Sequence, residues 1–162
     1  METKSPKREL DSIDRKMLRL LQEDGTLTNT ALGDQLSLST TPCWRRRKHL
    51  EETGFIMDYQ ANLNRRKLGF NILAFVSVRF VVPSDKTADD FESVIRQRPE
   101  VLSCHKVTGS ADYMLQIVAR DLDSYGEFIE RILRKQAGIA EIHSSLALRE
   151  IKSTSRLEVS DD

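Results

Sequence analysis

From Leu10 the apolar positions recur at spacings of three and four: Leu10, Ile13, Met17, Leu20 and Leu21. That period places them on one face of a helix. Asp11 is positioned to cap it, and Asp14 adds negative charge to its first turn, where the helix dipole favours it. Asp24-Gly25 ends it. A second, short helix follows from a cap at Thr28. Leu27 and Leu32 occupy the staple positions around that cap, and Ala31, Leu32 and Leu36 form an apolar stripe. Ser37-Leu38 reads as a tight turn. Ser39 caps a third helix that stops before Gly54, with Pro42 in the first turn, where a backbone N–H would lack an intrahelical acceptor. Helices separated this way form a helix-turn-helix pattern. The polar residues before Leu10 read as a loose arm.

After Gly54 the period changes to two. Phe55 to Leu63 reads as a strand and Asn64 to Gly69 as a connector. Asn71 to Val82 is a predicted strand, and Thr87 to Gln97 a helix capped by Thr87 with Phe91, Val94 and Ile95 inward. Val101 to Thr108 and Asp112 to Ala119 are strands around a Gly109 turn. Asp123 to Lys135 is a helix with Tyr125, Phe128, Ile129, Ile132 and Leu133 inward, and Ile139 to Ile151 a last strand. The order β-α-β-β-α-β is the ferredoxin-like plan, with both helices on one face of an antiparallel sheet. The fold class expected is α+β: a helix-turn-helix domain over 10–62, a linker over 63–70, and a ferredoxin-like domain over 71–162, behind an arm of residues 1–9.

That plan leaves one sheet face open, and a face in water should be polar. Yet Asn71–Val82 carries Ile72, Ala74, Val76, Val78 and Phe80 on one side and Leu73 and Phe75 on the other, and Tyr113 to Ala119 is apolar on both. No other segment remains to cover the second face, so a second copy is expected there, making a homodimer by sheet stacking.

Composition narrows the function. The chain has 162 residues, with 25 basic and 25 acidic. Neutrality argues against indiscriminate nucleic-acid binding but permits a local basic surface. No apolar run approaches the ~20 residues that span a bilayer. METKSPKREL lacks the apolar core of a signal peptide, so the expected location is the cytoplasm and no membrane partner is expected. Cys43 and Cys104 are far apart with no CxxC, which argues against a disulfide scaffold or a cysteine-rich zinc site. His105 and His143 could meet across the sheet, without an evident third ligand. There is no phosphate-binding glycine loop, nucleophile elbow or metal set, so neither an enzyme nor a cofactor is expected.

The local basic surface is Arg45-Arg46-Arg47-Lys48. In isolation such a run reads equally as a solvated helix face. It lies, however, on the second helix of a helix-turn-helix pattern, it follows the small polar residues Ser39, Thr40 and Thr41, and no acid interrupts it. At about 100° per residue, Cys43, Arg47 and Leu50 fall on one side of the helix and Thr41, Arg45 and Lys48 on the other. Arg45 is placed for a bidentate contact to guanine, Thr41 for a thymine methyl or a phosphate, and Lys48 for a phosphate of double-stranded DNA. Arg46 is placed to pair with an acid of the first two helices, and the Arg47 stem to pack with its head at the edge. Trp44 either packs under the helix or lies against the sugar-phosphate backbone; packing is the favoured reading. In VTGSADYML, Gly109 supplies a tight backbone whose N–H groups can hold a carboxylate, although on the pattern alone an ordinary hairpin turn is the favoured reading.

From Leu10 to Leu157 the chain resembles the Lrp/AsnC, or feast/famine, transcription regulators. The resemblance rests on LDSIDRKMLRLLQEDG, LSTTPCWRRRKHLEETGFI, the NLNRRKLG connector, and VTGSADYML followed by SSLALREIKSTS. It implies a winged-helix-type DNA-binding domain, a ferredoxin-like domain that binds a small effector, usually an amino acid, and dimers that assemble into octamers or related rings. The effector would lie at a junction between dimers, near Gly109, Ser110, Ala111 and Asp112 and near Ser144 and Ser145. The family commonly has Gly where Ser37 stands, so Ser37 either takes a left-handed conformation at modest cost or the turn differs. Position 47, usually aliphatic, is Arg. The expected function is a sequence-specific, effector-responsive transcription regulator reading a palindromic site. The alternatives are a DNA-organising protein of low sequence preference and a small-molecule-binding module whose N-terminal domain serves only assembly.

Overall fold

Asp11 starts the first helix, α1 (Ser12–Glu23), through a capping box: its carboxylate accepts from the Asp14 N–H at 2.8 Å, and the Asp14 carboxylate accepts from the Asp11 N–H at 3.3 Å. Thr28 caps α2 (Asn29–Leu36) by accepting from the Ala31 N–H at 3.1 Å. α3 (Thr40–Glu52) follows after Ser39, which holds the cap position but makes no side-chain capping bond. Met17, Leu21, Leu32, Leu36, Cys43 and Leu50 are the buried core of this unit, with Leu10, Ile13 and Leu27 packed against it. The structure, a computed structural model, describes residues 10–82 and 85–160. The expected arm of residues 1–9 lies outside the described residues.

The turn between α2 and α3 is left-handed. Ser37 sits at φ 56°, ψ 41°, and the Gly33 carbonyl accepts from the N–H groups of both Ser37 and Leu38. Gly33 is required for this closeness: a Cβ there would lie 2.6 Å from the Leu38 carbonyl oxygen.

Phe55 to Leu63, expected as a strand, joins no sheet. Ile56 donates its N–H to Leu50 O at 3.1 Å, and the stretch beyond it forms no regular element and pairs with no strand. Alternation alone does not make a strand; a ladder needs a partner.

The second unit has the expected βαββαβ plan: β1 (Ile72–Phe80), α4 (Asp85–Arg96), β2 (Val101–Lys106), β3 (Tyr113–Ala119), α5 (Leu122–Phe128) and β4 (Ile139–Leu146). The sheet order is β2-β3-β1-β4, all antiparallel neighbours. α4 starts at Asp85, so Thr87 is inside its first turn rather than at its cap. α5 is capped by Asp121 and passes into a π-helical turn over Ile129–Leu133. β4 stops at Leu146, five residues before the expected end at Ile151.

Ala74, Val76, Val78 and Phe80 of β1 pack with Tyr113, Leu115 and Ile117 of β3 against Phe91, Ile95, Tyr125, Phe128 and Leu133. Phe80, Phe91 and Tyr113 form a ring cluster with centroids 4.8 to 6.0 Å apart, geometry worth about 0.5–1.5 kcal/mol per pair beyond burial. On the opposite face Leu73 and Val118 are buried, while Phe75 and Met114 stay 43% and 39% exposed. His105 and His143 do not meet. Both belong to one row, His105–Met114–Ser77–His143, on the two outermost strands, roughly 14 Å apart at the usual strand spacing.

The described residues fall into two compact units. One runs to Asn62 and includes Ser153 onward; the other is Leu63–Lys152. Residues 153–160 therefore pack with the helical unit, whereas the sequence pattern extends the C-terminal domain through them.

Candidate DNA-binding surface and effector turn

α3 sorts its four consecutive cations. Arg45 is exposed and has no hydrogen-bond or ion-pair partner among the described residues. Lys48 is exposed too, 3.6 Å from Glu52 Oε1 and 5.1 Å above the Trp44 ring. Arg46 turns inward: its Nη1 donates to Asp11 Oδ2 at 2.5 Å and to Asp14 Oδ1 at 2.7 Å. Asp14 is the one buried charged residue among those described, and Arg46 is its partner. Burial would raise the Asp11 carboxyl, but the Asp14 N–H and the Arg46 guanidinium outweigh it and hold the carboxyl at about 2, below its ordinary 3.8.

Arg47 is bound on three sides. Nη1 donates to Leu27 O at 2.8 Å, Nε to Tyr59 Oη at 3.0 Å and to Glu51 Oε1 at 3.3 Å, and the guanidinium stacks 4.7 Å from the Tyr59 ring centroid. The Tyr59 hydroxyl donates to Glu51 Oε1 at 2.8 Å. Burial and that bond to Glu51 push the Tyr59 pKa up. Arg47 thus ties α3 to the segment before α2 and to the irregular chain beyond α3. Within DYQAN nothing in the local pattern marks Tyr59 as a partner of α3.

Ser39, Thr40, Thr41, Trp44, Arg45 and Lys48 are all exposed, at the start and along one side of α3. Trp44 is 47% exposed and does not pack under the helix as expected. Its position puts it beside Arg45 and Lys48, on the outer surface, because Cys43 and Leu50 already fill the inner side.

The turn in the second unit is held by its own chain. Gly109 has φ 111°, a conformation that L side chains rarely adopt. Val107 N–H donates to Asp112 O, and Asp112 N–H donates to Val78 O, each at 2.9 Å. The Asp112 carboxylate accepts from the Phe80 N–H at 2.7 Å, where the β1–β4 register shifts. Asp112 therefore fixes the end of β1. Gly109 and Ser110 are exposed, and Ala111 is half-buried.

Ser144 and Ser145 lie on opposite faces of the sheet. Ser144 lies on the helix side, where Tyr125 Oη donates to its Oγ at 2.5 Å, and Ser145, beside Phe75, faces the other way. Asp112 lies at the level of Arg79 and Ser144 opposite Val76, which separates them by about 14 Å within one chain. Surface clefts of about 340 and 260 Å³ are lined by Asp89, Glu92, Ser93, Arg96 and Gln97, and by Arg134 and Ile139 to Ile142. Neither contains the turn or the serines. No group of three metal-ligating side chains occurs, and no helix is long and apolar enough to cross a membrane, among the described residues.

A helix-turn-helix with outward cations, carried on the same chain as a βαββαβ sheet, defines a DNA-binding regulator with a separate domain. Residues 10–51 match the AsnC-type helix-turn-helix domain and residues 73–157 the Lrp/AsnC ligand binding domain. The chain is 37% identical over 150 residues to the DNA-binding transcriptional activator DecR of Escherichia coli, covering 93% of this chain and 99% of that one. It is 36% identical over 151 residues to the leucine-responsive regulatory protein of Rhizobium meliloti, covering 93% and 97%. A transcriptional regulator from Neisseria meningitidis, solved as its L-Met complex, superposes with a TM-score of 0.87 at 38% identity over 92% of this chain and 96% of that one. The chain belongs to the Lrp/AsnC family of transcription regulators. It is a DNA-binding regulator and not an enzyme, with the ferredoxin-like domain as its ligand-binding part.

Proposed function

We propose that the outer side of α3 reads DNA, with Arg45 contacting a base, Lys48 a phosphate, and Ser39, Thr40, Thr41 and Trp44 the adjoining backbone. The observation that carries this is the division of the four cations: Arg46 and Arg47 are held internally, while Arg45 stands outward without a partner among the described residues. Arg45→Ala is expected to cost about 1–3 kcal/mol of operator affinity and to relax preference at one base position, measured by competition binding at fixed salt. Equal affinity of the native protein for operator and random DNA would instead indicate a DNA-organising role.

The working form is a homodimer through the open sheet face, with dimers assembling further, in the cytoplasm. The effector is an amino acid, a reading supported by the relatives named for leucine response and for an L-Met complex. Asp112 already serves its own β1, and it lies far from Ser144 within one chain. The Gly109–Asp112 turn and Ser145 accordingly meet the effector in a site completed by another copy. Effector binding shifts DNA affinity by about 1–3 kcal/mol, the usual range of such coupling. A thermal-shift screen of the twenty amino acids tests this. One or a few should raise the midpoint, because a ligand that binds only the native state stabilises it; no shift with any of them would refute an amino-acid effector.

A further inference from the structure

Beyond Lys152 the chain returns to the helical unit and lies along α1. Gln22 makes a two-way amide contact with Leu157: its Nε2 donates to Leu157 O at 3.0 Å, and its Oε1 accepts from Leu157 N–H at 2.6 Å. One turn back on the helix, Arg19 Nη1 donates to Val159 O at 2.8 Å, and a further turn back Arg15 Nη1 donates to Ser160 O at 3.1 Å. As the contacts move down the tail, they move back up α1. The lengths agree. Seven helical residues, Arg15 to Gln22, rise about 10.5 Å, and three extended steps, Leu157 to Ser160, cover about 10 Å. The tail is thus an antiparallel strip whose peptide groups match three side chains at helix positions i, i+4 and i+7.

Every one of these contacts is to the tail's main chain. Leu157 is 76% exposed, so its side chain does little of the holding. The same stretch belongs by sequence to the other part of the protein, since the ligand binding domain match runs to residue 157. The chain therefore passes between the two units twice, once after Asn62 and once after Lys152.

We propose that residues 153–160 are a strap: a second tether, locked to α1 by Arg15, Arg19 and Gln22, that carries the C-terminal end of the ligand-binding domain onto the DNA-binding unit and restricts its swing. With a single flexible connection the DNA-binding unit would sample orientations freely. With a second tether, docked at a fixed position on α1, movement of the ligand-binding domain at Lys152 is delivered to α1. Arg15, Arg19 and Gln22 are positioning residues in this reading; they lie on α1, not on the side of α3 assigned to DNA.

Distance measurement between spin labels tests the strap. Labels at Asp34→Cys in α2 and Lys135→Cys in the other unit, in a Cys104→Ser background diluted with unlabelled chain, report the spread of interunit distances. The native chain should give a narrow distribution. Deletion of 153–162, the Arg19→Ala/Gln22→Ala pair, and Leu157→Pro, which removes the N–H given to Gln22 and fixes the backbone there, should each widen it at least twofold. Arg19→Lys alone, which keeps a donor, and Glu158→Ala should each leave it narrow. DNA half-site affinity within twofold of native would show that the variant domain is still folded. An unchanged width in the deletion and in Leu157→Pro would overturn the proposal. So would a distribution that is already broad in the native chain.

Discussion

Asp11 holds the first turn of α1 and, through Arg46, the side of α3 at once. Its folded pKa of about 2 lies below the ordinary 3.8. A depressed carboxyl contributes stability that is full above the unfolded value and fades as pH falls through the folded one. Stability of the helical unit should therefore decline between about pH 4 and pH 2, and Asp11→Asn should flatten that decline in acid titrations followed by circular dichroism. Much of this was readable from residues alone. The helical wheel placed Arg45 and Lys48 outward and Arg46 against an acid, because direction on a helix follows from position. The Arg47 partners were not readable. Tyr59 and the Leu27 carbonyl come from outside the helix, and a wheel carries no information about what approaches it. Trp44 shows the same limit from the other side: its size suggested packing, but Cys43 and Leu50 occupy the inner surface.

The α2–α3 turn is set by two residues of opposite character. Ser37 takes a left-handed conformation that costs a residue with a Cβ about 1–2 kcal/mol, so Ser37→Gly should raise stability by about 0.5–1 kcal/mol in denaturant unfolding. Gly33→Ala should do the reverse. Its Cβ would meet the Leu38 carbonyl at 2.6 Å, backbone that cannot rotate away, and the expected loss is about 1–3 kcal/mol. Period and caps were sufficient to locate α1, α2, α3 and the order of the βαββαβ unit. They failed where an element depends on a neighbour. Phe55 to Leu63 alternates like a strand and finds no strand beside it, and the π-turn after α5 leaves the hydrophobic spacing nearly unchanged while altering the hydrogen bonds.

At the scale of the molecule, the sheet face away from the helices is the incomplete surface. Phe75 and Met114 sit exposed at its middle beside buried Leu73 and Val118. If a second copy covers it, Phe75→Glu places a charge where two sheets should meet. That variant should sediment as a monomer at micromolar concentration while the native protein sediments as a dimer or larger; a dimeric variant would argue for another interface. For the proposed effector site the sequence marks only a turn and two serines. TGSADY marks a turn, but Asp112 serves its own β1, and Ser144 and Ser145 face opposite ways, so sequence adjacency overstated what one chain assembles. The tail along α1 had no signal at all, because its partners read peptide groups and any sequence supplies those. If the proposed strap holds, residues 157–160 should tolerate substitution, proline excepted, while Arg15, Arg19 and Gln22 should not. Variation should therefore be lopsided across this contact: lax on the strip, strict on the helix that holds it.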